Sequence, residues 1–178
     1  MHNVLLVDDE TAILNALQRA LRLQFGKQLR LDTSPGGAQA LAMGLERRYD
    51  IVISDLRMPG MDGLDFLCRF AKLQPHSTRM MLTGSADFGT AQRAVNEIGV
   101  FRYLTKPWQE DDLGQHMRAA LAHADSLRSQ RDAADAWASS QGQLSPQALE
   151  LRRLEALEPG LTLVEWDTDG AVIMPSLD

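Results

Sequence analysis

Five polar residues that could take part in a chemical reaction lie at the ends of short apolar runs: Asp8, Asp9, Asp55, Thr83 and Lys106. If they gathered in one cleft, the carboxylates would raise one another's pKa unless a cation offset their charge. Magnesium prefers carboxylate, carbonyl and water oxygens, and a lysine can balance charge from the opposite side. A carboxylate beside a metal ion, a lysine and a hydroxyl suits an aspartate nucleophile that attacks a phosphoryl group.

The elements that must position these residues alternate along the first 124 residues. Apolar runs predict five strands, and the segments between them have helical periodicity; the strands cover residues 4–7, 29–33, 51–54, 80–83 and 101–105. Five such repeats imply an α/β fold in which a parallel, doubly wound sheet carries helices on both faces. Ligands of such sheets bind beyond the carboxyl ends of the strands, where all five polar residues are expected.

The helices between the strands carry further local predictions. Ser34 is expected to cap the second helix, with Pro35 at its first position. Cys68 is expected to be a small core residue of the third helix. His116 and His123 have no nearby ligand partners on the last helix and are expected to face solvent.

Each chemically competent residue also has a structural explanation when it is taken alone. Asp8 and Asp9 precede a helix, where aspartate is a common cap. Asp55 could be a turn residue before a Met-Pro-Gly segment, Thr83 could begin a helix, and Lys106 could belong to an ordinary loop. The structural explanation does not account for their joint occurrence at four strand ends.

Four motifs resemble the receiver domain of two-component response regulators: LLVDDE, IVISDLRMPGMDG, MMLTGSAD and FRYLTKPW. Their spacing agrees over roughly residues 1–122. The resemblance implies a flavodoxin-like fold in which Asp55 accepts a phosphoryl group from a histidine kinase or a histidine phosphotransfer protein. It also implies that Asp9, Asp55 and the backbone carbonyl of Arg57 ligate Mg²⁺ directly, while Asp8 acts mainly through water.

The same resemblance assigns roles around the phosphoacceptor. It implies that Thr83 and Lys106 contact the phosphoryl oxygens. Tyr103 matches the family's switch aromatic, which turns inward as Thr83 moves toward the phosphate. Gly63, like Met58 and Pro59, matches a loop-shaping position, and the Lys106–Pro107 bond is usually cis in the family.

Two alternatives from other classes fit less well. A phosphatase of the haloacid-dehalogenase type would use Asp55 as the nucleophile but needs a second aspartate two residues later, where Arg57 stands. A nucleotide-binding fold needs glycines in the first turn, which instead reads Val-Asp-Asp-Glu over residues 7–10. We therefore expect no enzymatic activity beyond self-phosphorylation from a phosphodonor and slow self-dephosphorylation.

Composition and charge narrow the possible partners. The chain has 178 residues with 18 basic and 24 acidic side chains, and the excess of acids lies entirely in residues 125–178. An acidic segment repels a phosphate backbone, so no nucleic-acid partner and no DNA-binding output are expected. The longest apolar runs and the amino terminus suggest neither a membrane span nor a secretory signal, and the single cysteine fits a reducing compartment. We expect a cytoplasmic protein without a membrane partner.

The chain divides into a receiver at residues 1–124 and a tail at residues 125–178. The last receiver helix is predicted to run over residues 109–141, about 50 Å at the usual helical rise. A short helix with a leucine stripe and a β-hairpin around Asp169 and Gly170 are predicted to follow. We expect residues 109–178 to form a homodimer or to dock a downstream protein. The alternative is a frayed helix followed by a disordered acidic tail.

Overall fold

The computed structural model of the chain describes residues 1–84 and 99–140, together with Leu151 and Leu154. The two leucines lie in helical backbone and are exposed. Apart from them, the predicted short helix and the hairpin of the tail lie outside the described residues.

A five-stranded parallel sheet forms the centre of the fold, in the strand order β2-β1-β3-β4-β5. The order reverses between β1 and β3, as in a doubly wound sheet. Aliphatic residues dominate the central strands because helices cover both faces of the sheet. The strands are β1 (His2–Val7), β2 (Leu29–Ser34), β3 (Ile51–Asp55), β4 (Thr78–Gly84) and β5 (Arg102–Lys106). All five strands predicted from the sequence are confirmed, with ends that differ by two residues at most.

Helices pack on both faces of the sheet and divide the core into two clusters. The described helices are α1 (Thr11–Phe25), α2 (Gly37–Glu46), α3 (Gly63–Leu73) and α4 (Glu110–Ser140), and a short 3₁₀ turn (Gly26–Gln28) follows α1. Leucines of α1 and apolar residues from the first half of α4 pack on one face of the sheet and bury it. Phe66, Leu67 and Phe70 of α3, together with Ala40 of α2, bury the other face. The predicted flavodoxin-like arrangement is confirmed.

Two local predictions were wrong because tertiary contacts decide them. Ser34 ends β2 opposite Val7, and α2 begins only at Gly37, so Ser34 does not cap that helix. Its hydroxyl instead donates to the carbonyl oxygen of Gly36 at 2.9 Å. Cys68 is exposed rather than buried, because α3 turns its phenylalanine side toward the sheet.

Helix α4 is one continuous element of 31 residues, as the sequence predicts. At about 1.5 Å per residue it extends ~46 Å. Its first half buries Leu113, Met117, Ala120 and Ala124 against the sheet. Trp137 near its end is 63% exposed, so the second half leaves the core of its own domain. Within the described part of the chain, no helix has the length and apolar character needed to cross a membrane.

The two histidines of α4 do not simply face solvent, which corrects the sequence prediction. The ring of His123 stacks on Phe101 with 4.3 Å between centroids, and its Nδ1 is hydrogen-bonded to the hydroxyl of Thr78 at 3.0 Å. His116 is half-buried, and its Nδ1 has no partner among the described residues. Burial lowers the pKa of His116, and the charge of Arg102 adds to that effect. Both rings are therefore part of the packing of α4.

An ion pair and a hydrogen bond fasten the middle of α4 to the amino edge of the sheet. Arg128 bonds to Asp50 at 2.5 Å, and Asp125 bonds to the ring of His2 at 2.8 Å. The hydrogen bond from Arg128 also raises the pKa of its guanidinium group. The helix is thus held to the receiver several residues beyond Ala124.

Candidate functional site

Residues from four strands meet at the carboxyl edge of the sheet. Asp8 follows β1, Asp55 ends β3, Thr83 lies near the end of β4, and Lys106 ends β5. Parallel strands all point their carboxyl ends to the same edge, so residues far apart in sequence become neighbours there. The structure brings Asp8, Asp55 and Lys106 into direct contact.

Lys106 bridges the two buried carboxylates. Its ammonium nitrogen lies 2.7 Å from Oδ2 of Asp8 and 2.5 Å from Oδ1 of Asp55. Burial by itself would lower the pKa of Lys106, but the hydrogen bonds and charges of Asp55 and Asp8 outweigh it and raise that pKa. The side chain therefore stays charged and partly neutralises the two carboxylates.

Asp8 and Asp9 have different surroundings although they are adjacent. Asp8 is fully buried, and its Oδ1 accepts a hydrogen bond from the backbone N–H of Glu10 at 2.9 Å. Burial raises the pKa of Asp8, and the hydrogen bond from Lys106 offsets part of that rise. Asp9 is exposed and lies two residues before the beginning of α1.

The loop after β3 orients the Asp55 side chain. Asp55 is 5% exposed, and its Oδ2 accepts a hydrogen bond from the backbone N–H of Arg57 at 2.6 Å. Gly63 lies directly against the backbone of Asp55, because a Cβ at position 63 would stand 2.0 Å from the backbone oxygen of Asp55. Only glycine allows this approach, which gives a physical reason for the loop-shaping role expected of Gly63.

Thr83 and Tyr103 lie on adjacent strands, β4 and β5. Thr83 is buried, and its hydroxyl donates to the carbonyl oxygen of Gly84 at 3.1 Å. Tyr103 is half-buried and packs against the core cluster on the α2 and α3 side of the sheet. The Lys106–Pro107 peptide bond is cis, as the resemblance implies.

The chemistry of the donor groups fits a hard divalent cation. Asp8 and Asp55 share a single ammonium group, and Asp9 adds a third carboxylate nearby in the chain, so a negative charge remains to be offset. Within the described ranges, no three acidic, histidine or cysteine side chains already stand close enough together to hold a metal ion. The carboxylates at this edge, with one ammonium group between them, nevertheless fit Mg²⁺ by type and charge.

Sequence reasoning did not identify two contacts that support the site. Ser54 donates its hydroxyl to the backbone oxygen of Asp55 at 2.9 Å. The backbone N–H of Leu56 donates to the oxygen of Leu82 at 3.0 Å, which ties the loop after β3 to β4. A serine before Asp55 has no distinctive spacing, and a backbone hydrogen bond leaves no signal in the sequence.

A doubly wound parallel sheet with this acidic edge and a lysine at the end of its last strand defines a receiver domain of two-component signal transduction. The chain belongs to the response regulator receiver domain family, whose model matches residues 4–118. The chain is therefore a response regulator receiver domain over that range.

Curated relatives share this part of the chain. The hydrogenase transcriptional regulatory protein HoxA of Cupriavidus necator is 35% identical over 118 residues, which cover 66% of this chain and 24% of HoxA. The DNA-binding transcriptional regulator NtrC of Escherichia coli K12 is 34% identical over 120 residues, covering 67% of this chain and 25% of NtrC. The chain thus spans about a quarter of the length of these curated relatives.

Solved structures agree with the fold. The adenylate cyclase structure from Rhodopirellula baltica has a TM-score of 0.68 and 36% identity, covering 74% of this chain and 95% of that chain. The signal receiver domain of an HD domain-containing protein from Pseudomonas fluorescens Pf-5 has a TM-score of 0.65 and 37% identity. That similarity covers 70% of this chain and 98% of that chain. The similarity therefore extends over nearly the whole of each of those chains.

Proposed function

We propose that Asp55 accepts a phosphoryl group from a histidine kinase or a histidine phosphotransfer protein. The observation that carries this proposal is the contact of Lys106 with both Asp55 and Asp8 at the carboxyl edge. A carboxylate oxygen of Asp55 attacks the phosphorus of a phosphohistidine, so that a P–O bond forms as the P–N bond breaks and the imidazole leaves with a proton. Lys106 and Thr83 then contact the phosphoryl oxygens and stabilise their charge.

Magnesium completes the proposed site. Asp9, Asp55 and the backbone carbonyl of Arg57 would hold the ion, and Asp8 would act mainly through water. When bound, Mg²⁺ supplies positive charge to the phosphoryl oxygens. The shortage of cationic charge beside Asp8 and Asp55 supports this assignment.

The proposed output is a change of surface at Thr83 and Tyr103 that controls self-association or the binding of a partner protein. The side chain of Thr83 would turn toward the phosphate, and the ring of Tyr103 would move into the space that Thr83 vacates. The half-buried position of Tyr103 against the core supports this step, because a small rearrangement changes its exposure. The chain itself is a phosphoacceptor whose only reactions are self-phosphorylation and slow self-dephosphorylation.

We assign the receiver to residues 1–124 and an association segment to residues 125–178, with a homodimer formed through 109–178. The exposure of Trp137 and of Ala133, Ala134 and Ala136 on α4 supports this assignment, since an extended helix needs a second surface to cover it. The acidic excess of residues 125–178 argues against a DNA-binding output from this segment.

Phosphorylation by a small phosphodonor tests the central assignment. We expect the full chain to gain one phosphoryl group in the presence of Mg²⁺ and phosphoramidate, and Asp55→Asn to gain none, as measured by intact-mass spectrometry. Asp65→Asn is the matched control, because the Asp65 side chain on α3 is 46% exposed and forms an ion pair with Arg69. Undiminished labelling of Asp55→Asn would show that another residue is the acceptor.

The magnesium assignment has a separate optical test. Trp108 lies beside Lys106 and Pro107, so its fluorescence should report metal binding in a chain that carries Trp137→Phe and Trp166→Phe. We expect Asp9→Asn to weaken Mg²⁺ binding at least about tenfold. An unchanged affinity would make Asp9 an ordinary residue of the helix entry.

A further inference from the structure

The outer side of α1 carries only positive charge. Arg19, Arg22 and Leu23 are spaced three and four residues apart, so they share one side of the helix, away from the leucines that face the core. Lys27 follows in the 3₁₀ turn, and all four side chains are exposed, Leu23 by 77%. No acidic residue occurs between positions 11 and 28. Arg19, Arg22 and Lys27 thus form a basic face with an apolar side chain in its middle.

The three cations of the basic face have no partner within residues 1–84 and 99–140. None of their side chains forms an ion pair or a hydrogen bond there. By contrast, four other arginines in these ranges each form an ion pair with an aspartate. Like charges three residues apart on a helix repel each other. A negatively charged partner would offset this repulsion and would also cover Leu23.

The end of the chain has the complementary composition. Residues 159–178, which lie outside the described residues, include four acidic side chains and no lysine or arginine. Trp166 stands between Glu165 and Asp167, so an aromatic side chain is flanked by carboxylates in the way that Leu23 is flanked by cations. Opposite charges around an apolar contact supply attraction and also fix the register. The composition therefore favours this segment as the occupant of the basic face.

The basic face ends at the edge of the sheet past which α4 extends. Lys27 precedes Leu29, and Leu29 pairs with His2 at the beginning of β1, which places Lys27 at the amino edge. Helix α4 is fastened to the same edge by Arg128 and continues beyond it. Helices α1 and α4 also pack on the same face of the sheet. The chain that follows α4 therefore begins beyond the edge at which the basic face ends.

The chain after α4 is long enough to return to the basic face. From Arg128 to Ser140 the helix extends ~18 Å past the amino edge, and helices that pack side by side are about 10 Å apart. About 25 residues separate Ser140 from Glu165, and such a length spans ~37 Å as a helix or up to ~80 Å when extended. Both lengths exceed the sum of the two distances, so docking within one molecule requires no second copy of the chain.

We propose that residues 159–178 dock on the basic face of their own chain, with Glu165 and Asp167 paired to its cations and Trp166 packed on Leu23. The contact does not involve Asp55, so it is independent of the phosphoacceptor assignment. It leaves the second half of α4 to the proposed homodimer. The docked segment competes with any acidic partner protein for the basic face, and the tail thereby acts as an intramolecular competitor.

Zero-length cross-linking of the full chain tests the proposal, because a carbodiimide joins a lysine to a carboxylate only when the two groups are in contact. The chain has three lysines, Lys27, Lys72 and Lys106, so the products are few. We expect mass spectrometry of the tryptic peptides to show Lys27 joined to a carboxylate of residues 159–178. Lys72, which is exposed on α3, is the matched control and should not be joined to that segment.

A mixture of unlabelled and ¹⁵N-labelled chains identifies the molecule that supplies the segment. We expect cross-linked peptide pairs in which both members carry the same isotope, since the contact lies within one chain. Pairs of mixed isotope would show that the segment docks on a second copy, and they would overturn the proposal. The absence of any cross-link between Lys27 and residues 159–178 would overturn it as well.

Charge variants test whether the basic face holds the segment. Arg19→Gln combined with Arg22→Gln leaves Lys27 in place as the reactive group and should lower the yield of its cross-link about fivefold. Both positions are exposed, so the melting temperature should not change. Arg69→Gln removes a charge from α3 and should leave the yield unchanged. An equal yield in the double variant and in Arg69→Gln would overturn the proposal.

Discussion

The ammonium nitrogen of Lys106 lies 2.7 Å from Oδ2 of Asp8, although 98 positions separate the two residues in the chain. Asp8 is fully buried, and the side chain of Lys106 is only 19% exposed, so the pair is largely withdrawn from water. A buried ion pair contributes little net stability, but removal of one partner leaves an uncompensated charge. Lys106 is shared by Asp8 and Asp55, so the free energy of unfolding should fall when Lys106 is neutralised and rise when Asp8 is neutralised.

Lys106→Gln should destabilise the chain, because Asp8 and Asp55 would then lie side by side without their cation. We expect a loss of about 3 kcal/mol in the free energy of unfolding at pH 7, measured by urea denaturation without magnesium. The loss should shrink as the pH falls and Asp8 takes up a proton. Lys72→Gln, an exposed lysine on α3, should change stability by less than about 0.5 kcal/mol. Equal stability of the two variants would contradict the ion-pair argument.

Asp8→Asn should stabilise the chain at neutral pH in the absence of magnesium. Burial raises the pKa of Asp8 above its ordinary value of 3.8, so the native chain loses stability as the pH rises through and above that value. Removal of the charge removes this penalty, while Lys106 keeps its contact with Asp55. We expect a gain of about 1 kcal/mol at pH 7 that disappears below about pH 4, where Asp8 is protonated in both states. Lower stability of the variant at pH 7 would show that Asp8 is a net stabilising charge.

Tyr49 should remain protonated well into the alkaline range. Burial and the neighbouring carboxylate of Asp32 raise its pKa to about 12, and its hydroxyl donates to Asp32 at 3.1 Å. This group contributes stability that is fully present below pH 10 and is lost as the pH rises through about 12. Ultraviolet titration should show one tyrosine with this pKa, and Tyr49→Phe should remove it. The variant should lose about 1 kcal/mol at pH 7 because Asp32 loses a hydrogen bond. A transition for Tyr49 near pH 10 would refute this prediction.

The full chain should be a dimer in light scattering, and a chain shortened to end at Ala124 should be a monomer. The reason is the second half of α4, where Trp137 is 63% exposed. Trp137→Ser should weaken the dimer, because an exposed aromatic side chain is a typical anchor of an interface. Measurements with and without beryllium fluoride and Mg²⁺ would show whether the phosphorylated state changes the affinity. If the mass is that of a monomer under all conditions, the homodimer prediction is wrong, and the tail is left as a segment that docks a different protein.

The sequence by itself determined the sheet and the residues at its edge. Short runs of aliphatic residues around Val4, Ile51 and Met80 favour strands buried on both faces, and this preference is local in the chain. Parallel strands then bring their carboxyl ends together whatever the details of packing. The proximity of Asp8, Asp55 and Lys106 could therefore be predicted before any contact was known.

Only the tertiary structure decided which side of each helix is buried and which polar groups pair. Cys68 is exposed although its helix is apolar, and His123 packs on Phe101 although its local sequence is polar. The ion pair between Asp50 and Arg128 joins residues 78 positions apart, and it forms because α4 continues past residue 118, where the match to the family ends. The period of a helix is a local property of the chain, whereas the orientation of the helix and its partners follow from long-range packing, and no spacing of residues in the sequence records that packing.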